Sequence, residues 1–129
     1  MLITFPNPIL RQTSVEVVTD VKDISDYMFS VMHEHGGVGL SAIQIGVPLR
    51  LIVADVGEGK EVYINPKIVR LGGTKKLMME GCLSFPGRYE QVMRSIKITV
   101  SYKDLDGNIK TLNTNGLRAQ MLQHEIEHL

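Results

Sequence analysis

The chain has 129 residues, with fourteen Lys and Arg balanced by fourteen Asp and Glu, and a single cysteine. That length suits one domain spanning 1–129, because folding at this size buries roughly two-thirds of the surface of the unfolded chain. Zero net charge gives no field toward nucleic acid or an anionic membrane, one cysteine excludes an internal disulfide, and no apolar run nears the roughly 18 residues of a membrane helix.

The start, Met1-Leu2-Ile3-Thr4-Phe5-Pro6, lacks the basic residues and long apolar stretch of a signal peptide. A soluble protein of a reducing, cytoplasmic compartment is therefore expected. Pro6 and Pro8 fix backbone angles in the opening segment, which predicts an ordered arm rather than a regular helix. From Asp20 to His35 the residues Val21, Ile24, Met28, Val31, Met32 and His35 fall at helical spacing, with Thr19 or Asp20 as cap and Gly36-Gly37 as terminator.

The following stretch, Gly37 to Gly46, is too rich in glycine for an ordinary helix or strand, and backbone that bare lets another chain come close. Leu51 to Asp55 reads as a buried strand, Val56 to Lys60 as a turn, and Glu61 to Asn65 as the next strand, whose pairing Pro66 limits. Gly72-Gly73 between two apolar runs predicts a hairpin. Ile96 to Tyr102 alternates apolar with polar residues, Asp106-Gly107 turns the chain, and Ile109 to Leu112 returns. The last helix starts near Thr114 or Asn115 and carries Leu117, Met121, His124 and His128 on its inward stripe. The class is α+β: short antiparallel strands packed around a C-terminal helix, with a second helix near the N-terminus.

Chemistry concentrates in that last helix. Residues four apart on a helix stand one above the other, so His124 and His128 can hold one ion, and Glu125 beside them can take a proton from water on that ion. The alternative for such a pattern is two solvated histidines on a charged helix, so a third ligand is required. Cys82, in Glu80-Gly81-Cys82-Leu83-Ser84, is the candidate; one thiolate with two imidazoles is a normal donor set for zinc or ferrous iron and leaves a position open for water. Taken alone, Cys82 could equally be a buried thiol acting as a small hydrophobe. Gly81 before it and Pro86-Gly87 after it place it where the chain bends.

Three segments together resemble the peptide deformylases: G-V-G-L-S-A-I-Q at 37–44, E-G-C-L-S at 80–84 and Q-H-E-I-E-H at 123–128. The arm from Pro6 to Arg11 is similar to that family's N-terminus, so the likeness covers nearly the whole chain. It implies removal of the formyl group from N-formylmethionyl nascent peptides, with Cys82, His124 and His128 on the metal and Glu125 as general acid and base. It also implies that the Gln44 amide and the backbone N–H of Leu83 stabilise the oxygen of the attacked formyl group. The peptide would lie extended against Val38, Gly39 and Gly81, with the methionine side chain among Val38, Leu83, Met121 and the face of His124. The implied ion is divalent, ferrous iron in the cell, with zinc, nickel or cobalt as other occupants.

The chain departs from the resemblance at several points. Glu127 stands where most relatives carry aspartate, and is expected to face away from the ion; Ser41 and Ile43 replace residues usual in the first motif. Most relatives continue beyond the histidine motif, and short natural forms, virus-encoded ones among them, exist in the family. The chain therefore reads either as such a short form, which is favoured, or as a truncated copy with little activity; transient proximity to the ribosome is implied, and the case for stable docking there is weakened. Two competing readings remain at this level. An H-E-x-x-H metallopeptidase usually takes its third ligand downstream of the motif, and a non-catalytic peptide-binding module would need neither Glu125 nor Gln44. His33 and His35, near the end of the first helix, are assigned no role.

Overall fold

The computed structural model describes residues 1–129. Helix α1 spans Lys22–Glu34 and is followed by strands β1 (Gly39–Ser41), β2 (Leu51–Ala54), β3 (Glu61–Cys82), β4 (Phe85–Lys103) and β5 (Ile109–Asn115), with helix α2 at Gly116–Glu127. The strands form one antiparallel sheet in sequence order, β1-β2-β3-β4-β5. Nearest-neighbour hairpin connections suffice to build such a sheet, so it follows directly from the run of turn signals in the chain.

The α+β reading stands, with two differences in detail. Gly72-Gly73 does not turn the chain: β3 runs through it with a register shift between Gly72 and Lys75, and the hairpin turn falls at Leu83-Ser84, beyond Cys82. Gly73 has a positive φ of 67°, which glycine tolerates and which suits a bulge as well as a tight turn. Two glycines between apolar runs thus mark a break in pairing without saying which kind. As a result β3 and β4 are 22 and 19 residues long, far beyond the short strands expected. The glycine-rich stretch also forms more regular structure than its composition suggests, a three-residue strand followed by one turn of 3-10 helix at Ala42–Ile45.

Helix α1 lies where the apolar periodicity puts it, and the Asp20 carboxylate accepts the Lys22 N–H at its start. Met28, Val31 and Met32 are buried in a cluster with Leu40, Leu51, Val53 and Ile64, whereas His35 is exposed rather than inward-facing. A second cluster joins Met121, Leu122 and Ala119 of α2 to Ile52, Tyr63, Ile98 and Val100 of the sheet. Polar contacts fix the same docking: Gln123 accepts the Ser95 N–H at 3.0 Å and donates to the Ser95 carbonyl at 2.9 Å. Leu117, expected on the buried stripe, is half exposed because its turn of α2 overhangs a cavity instead of the sheet.

The N-terminal arm is ordered, as expected, and is fastened to the parts of the chain that matter chemically. Ile3 N–H donates to the Gln44 carbonyl and Phe5 N–H to the Ser84 carbonyl at 2.7 Å, while the rings of Phe5 and Phe85 stack with centroids 5.3 Å apart. The arm thereby ties the segment carrying Gln44 to the turn that follows Cys82.

Candidate metal centre

Cys82 ends β3 immediately before the two-residue turn, so its side chain is presented from the tip of the long hairpin toward α2. His124 and His128 lie one turn apart at the end of α2. The three donor atoms all fall within 4.8 Å of one another. Cys82 Sγ is 3.4 Å from His128 Nε2, and His128 Nε2 is 3.4 Å from His124 Nε2. A tetrahedral ion with bonds of about 2.3 Å to sulfur and 2.0–2.1 Å to nitrogen sets its donors about 3.3 to 3.6 Å apart. The trio therefore fits a single ion with one position to spare.

Side chains behind the ligands fix their orientation. His124 Nδ1 lies 2.8 Å from Glu80 Oε1. A carboxylate only accepts, so Nδ1 carries the proton and Nε2 is left with the lone pair that a metal needs. Arg94 holds Glu80 through two parallel bonds, Nε to Oε2 at 2.9 Å and Nη2 to Oε1 at 2.8 Å. The same guanidinium bonds both carboxylate oxygens of Glu127, Nη2 to Oε2 at 2.9 Å and Nη1 to Oε1. Glu127 does point off the donor trio, but it is not idle as a solvated residue would be.

The electrostatics suit an ion. Burial pushes the Cys82 thiol up, but hydrogen bonds with the two histidine rings outweigh it and bring the thiol down to about 7. Burial pulls His124 down, yet its contacts with Cys82, Glu125 and Glu80 raise it to about 9; His128 is raised in the same way. The thiol and the acidic neighbours thus favour positive charge at the two rings, a preference that a bound cation would also meet. Burial drives the Glu125 carboxyl above its ordinary range, against the opposing pull of both histidines. Glu125 is 6% exposed, and its Oε1 is buried with no hydrogen-bond partner. Such an orphaned carboxylate oxygen is expensive in a folded interior and marks a group that awaits a partner.

A cavity of about 600 Å³ opens beside the trio, lined by Val38, Gly39, Gly81, Leu83, Met121 and Glu125 among others. Gly39 is needed there for space: a Cβ on it would meet Met121 Cγ at 2.7 Å and Glu125 Cγ at 3.2 Å. Val38 is 40% exposed, so it lines the cavity instead of the core, whereas Met121 does both. Leu83 sits in the turn with its side chain toward Gly37, and its N–H donates to no acceptor within the chain.

Gln44 is fully buried behind the trio. Its Oε1 accepts from both the N–H and the hydroxyl of Ser41 at 3.0 Å, which fixes which end of the amide carries nitrogen. Its Nε2 then donates to Ser84 Oγ at 3.0 Å and reaches Cys82 Sγ at 3.5 Å. Every residue singled out in the sequence is thus brought to one place, while His33 lies apart beside Asp55.

Sequence reasoning missed Glu80, Arg94, Ser41 and Ser84 as supporting residues. Two left a signal: Ser41 stands three positions before Gln44, the spacing at which a serine and a glutamine side chain and backbone pair, and Glu80 lies two residues before the cysteine, on the same side of an extended strand. Nothing local marks Arg94, which comes from the far strand of the hairpin.

The chain matches the family described as polypeptide deformylase over residues 1–129. It is 47% identical over 136 aligned residues to a peptide deformylase of Rhizobium meliloti, covering 99% of this chain and 78% of that one. Among solved structures, a peptide deformylase of Plasmodium falciparum superposes with a TM-score of 0.96 at 36% identity, covering all of this chain and 80% of the other. The deformylase of the Vibrio parahaemolyticus bacteriophage VP16T, solved in complex with actinonin, superposes with a TM-score of 0.95 at 38% identity, covering 99% and 95% of the two chains.

Proposed function

The chain belongs to the polypeptide deformylase family, and from that premise we propose which of its residues carry the reaction. It is a metal-dependent hydrolase that removes the formyl group from the N-terminus of newly made polypeptides and releases formate. Residues 1–129 act as one catalytic domain. Cys82, His124 and His128 hold the ion. Bound there, a divalent metal supplies Lewis acidity, which makes water a competent nucleophile near neutral pH. Ferrous iron is the ion assigned in the cell, and the same donor set accommodates zinc, nickel or cobalt.

Glu125 accepts the proton of the water that attacks the formyl carbon. As the C–N bond breaks, it returns that proton to the nitrogen of the departing peptide. Its burial favours the exchange, because a carboxylate held above its ordinary range is a stronger base toward the attacking water, and the carboxyl so formed can still pass its proton to the more basic nitrogen of the departing peptide. The Leu83 N–H and the Gln44 amide donate to the oxygen on which negative charge develops. Ser41 fixes the oxygen end of the Gln44 amide before substrate arrives, and the N–H that reaches Cys82 Sγ over 3.5 Å is the one that turns to the substrate oxygen.

An extended peptide would pair its main chain with Gly39 and Gly81 and leave Val38 and Met121 to receive the methionine side chain. Main-chain pairing makes the later residues of the peptide nearly interchangeable, as suits an enzyme that meets every new chain. Such substrates place the enzyme in the cytoplasm and near the ribosome; no helix of the protein is long and apolar enough to cross a membrane.

The observation that carries this assignment is the unpartnered Glu125 oxygen beside three convergent ligands. The test is formate release from a formyl-methionyl tripeptide under anaerobic conditions, by the parent protein and by Glu125→Gln, with metal content measured on both. Retained metal with turnover lower by at least about 10²-fold, the lower end of the usual contribution of an acid-base group, is expected. Equal turnover would remove Glu125 from its role.

A further inference from the structure

Arg94 bonds at once to the carboxylate that orients one histidine and to the carboxylate next in sequence to the other. It extends from β4 on the face that looks at α2, and the pairing of Lys76 with Arg94 and of Glu80 with Glu90 shows that it reaches diagonally along the hairpin to Glu80. The side chains of Arg94 and Glu80 are each only 6% exposed. From there Glu80 grips His124 Nδ1, while Glu127 occupies the last turn of α2, adjacent to His128.

We propose that Arg94 is a positioning residue for the metal centre: its guanidinium, shared between Glu80 and Glu127, sets the orientation of His124 and the placement of His128 together. The proposal rests on the reading that Cys82, His124 and His128 bind the ion.

The helix itself does not need Arg94 in order to dock. Gln123 pairs with both backbone groups of Ser95, and Met121 and Leu122 are packed in the core. All of those anchors lie before His124. In the final turn Ile126 and Leu129 pack against the edge of the same cluster, but the His128 and Leu129 N–H groups donate only to Glu125 and Ile126 within the turn, so no backbone bond ties it to the sheet. Apolar contacts at the edge of a core leave a terminal turn free to shift, and the Arg94–Glu127 pair adds the directional polar tether for the turn that carries His128. A guanidinium is suited to this because its fork can bond two carboxylates in one plane, which a lysine ammonium cannot reproduce.

The role separates from ordinary structural support by measurement on the metal itself. The proteins to compare are the parent, Glu127→Gln, Glu127→Asp, Arg94→Lys, and the double variant Arg94→Met with Glu80→Gln, which leaves no buried charge unpaired. Each is loaded with Co(II), and three quantities are read: the Co(II) dissociation constant by chelator competition, the visible absorption spectrum, and the melting temperature of the metal-free protein. The Glu127 side chain is 61% exposed, so its variants fold whatever its role.

The expected result is a 10- to 100-fold weaker Co(II) affinity and an altered spectrum for Glu127→Gln, Arg94→Lys and the double variant, the range usual for residues that orient ligands. Metal-free melting of Glu127→Gln should match the parent, and Glu127→Asp, which keeps the carboxylate, should restore both affinity and spectrum. Unchanged affinity and spectrum in Glu127→Gln and the double variant would overturn the proposal. So would losses in affinity that only track losses in metal-free stability. A Cys82→Ser protein that kept the parent's Co(II) spectrum would overturn the ligand assignment itself, and the role of Arg94 with it.

Discussion

His124 Nδ1 lies 2.8 Å from Glu80 Oε1, and this contact decides which nitrogen of the ring faces the other two ligands. The carboxylate fixes the tautomer, stops rotation of the imidazole and makes Nε2 a stronger base. Glu80→Gln removes the charge and allows the ring either tautomer, so metal affinity should fall by about 10- to 100-fold in chelator competition, with the fold retained.

The same carboxylate gives a pH dependence whose sign follows from its environment. Burial would raise the Glu80 carboxyl, but its hydrogen bonds to Arg94 and His124 outweigh burial and hold it below the ordinary range. A group lowered on folding stabilises the native state above its unfolded value, and that contribution disappears as pH falls through the folded value. Metal-free Glu80→Gln should therefore melt below the parent at pH 6, with the gap closing as pH is lowered past the ordinary carboxylate range. Equal gaps at pH 6 and pH 3, measured by thermal melts, would mean that the pair contributes through packing alone.

Gln44 reaches Cys82 Sγ and Ser84 Oγ through its Nε2 and accepts from the Ser41 N–H and hydroxyl through its Oε1. Gln44→Leu should lower kcat/KM for a formylated peptide by about 10²- to 10³-fold, the loss typical of one oxyanion donor, while metal content stays at the parent level. Steady-state kinetics beside metal analysis check it. Loss of metal in step with activity would instead give Gln44 the task of supporting the Cys82 sulfur.

Two glycines lining the cavity should respond oppositely to a methyl group. At Gly39 a Cβ would press on Met121 and Glu125, both buried, so Gly39→Ala should raise KM or lower kcat by about tenfold or more for want of space. At Gly81 a Cβ would meet the Tyr89 ring at 2.6 Å, but that ring is 70% exposed and free to swing aside. Gly81→Ala should fold and melt like the parent, and peptide kinetics on the two variants give the comparison.

Much of this arrangement was legible in the chain because it is local. The i, i+4 spacing of His124 and His128, the apolar period of α1 and the alternation of Ile96 to Tyr102 each depend on neighbours a few residues away, and each element lies where its period places it. What local patterns could not supply was the path of β3. Gly72-Gly73 permits a turn and a bulge alike, and the choice depends on how far β4 pairs with the strand beyond it. The site divides along the same line. Cys82 and the histidines carry chemistry in their residue types, but Arg94 is an ordinary arginine until the hairpin brings it against Glu80 and Glu127, fourteen and thirty-three residues away.

The most direct test of the whole account is X-ray absorption at the metal edge on anaerobically loaded protein. One sulfur at about 2.3 Å together with nitrogen or oxygen scatterers at about 2.0 to 2.2 Å, with the sulfur shell lost in Cys82→Ser, is the predicted result. A first shell of nitrogen and oxygen alone, unchanged by that substitution, would contradict it.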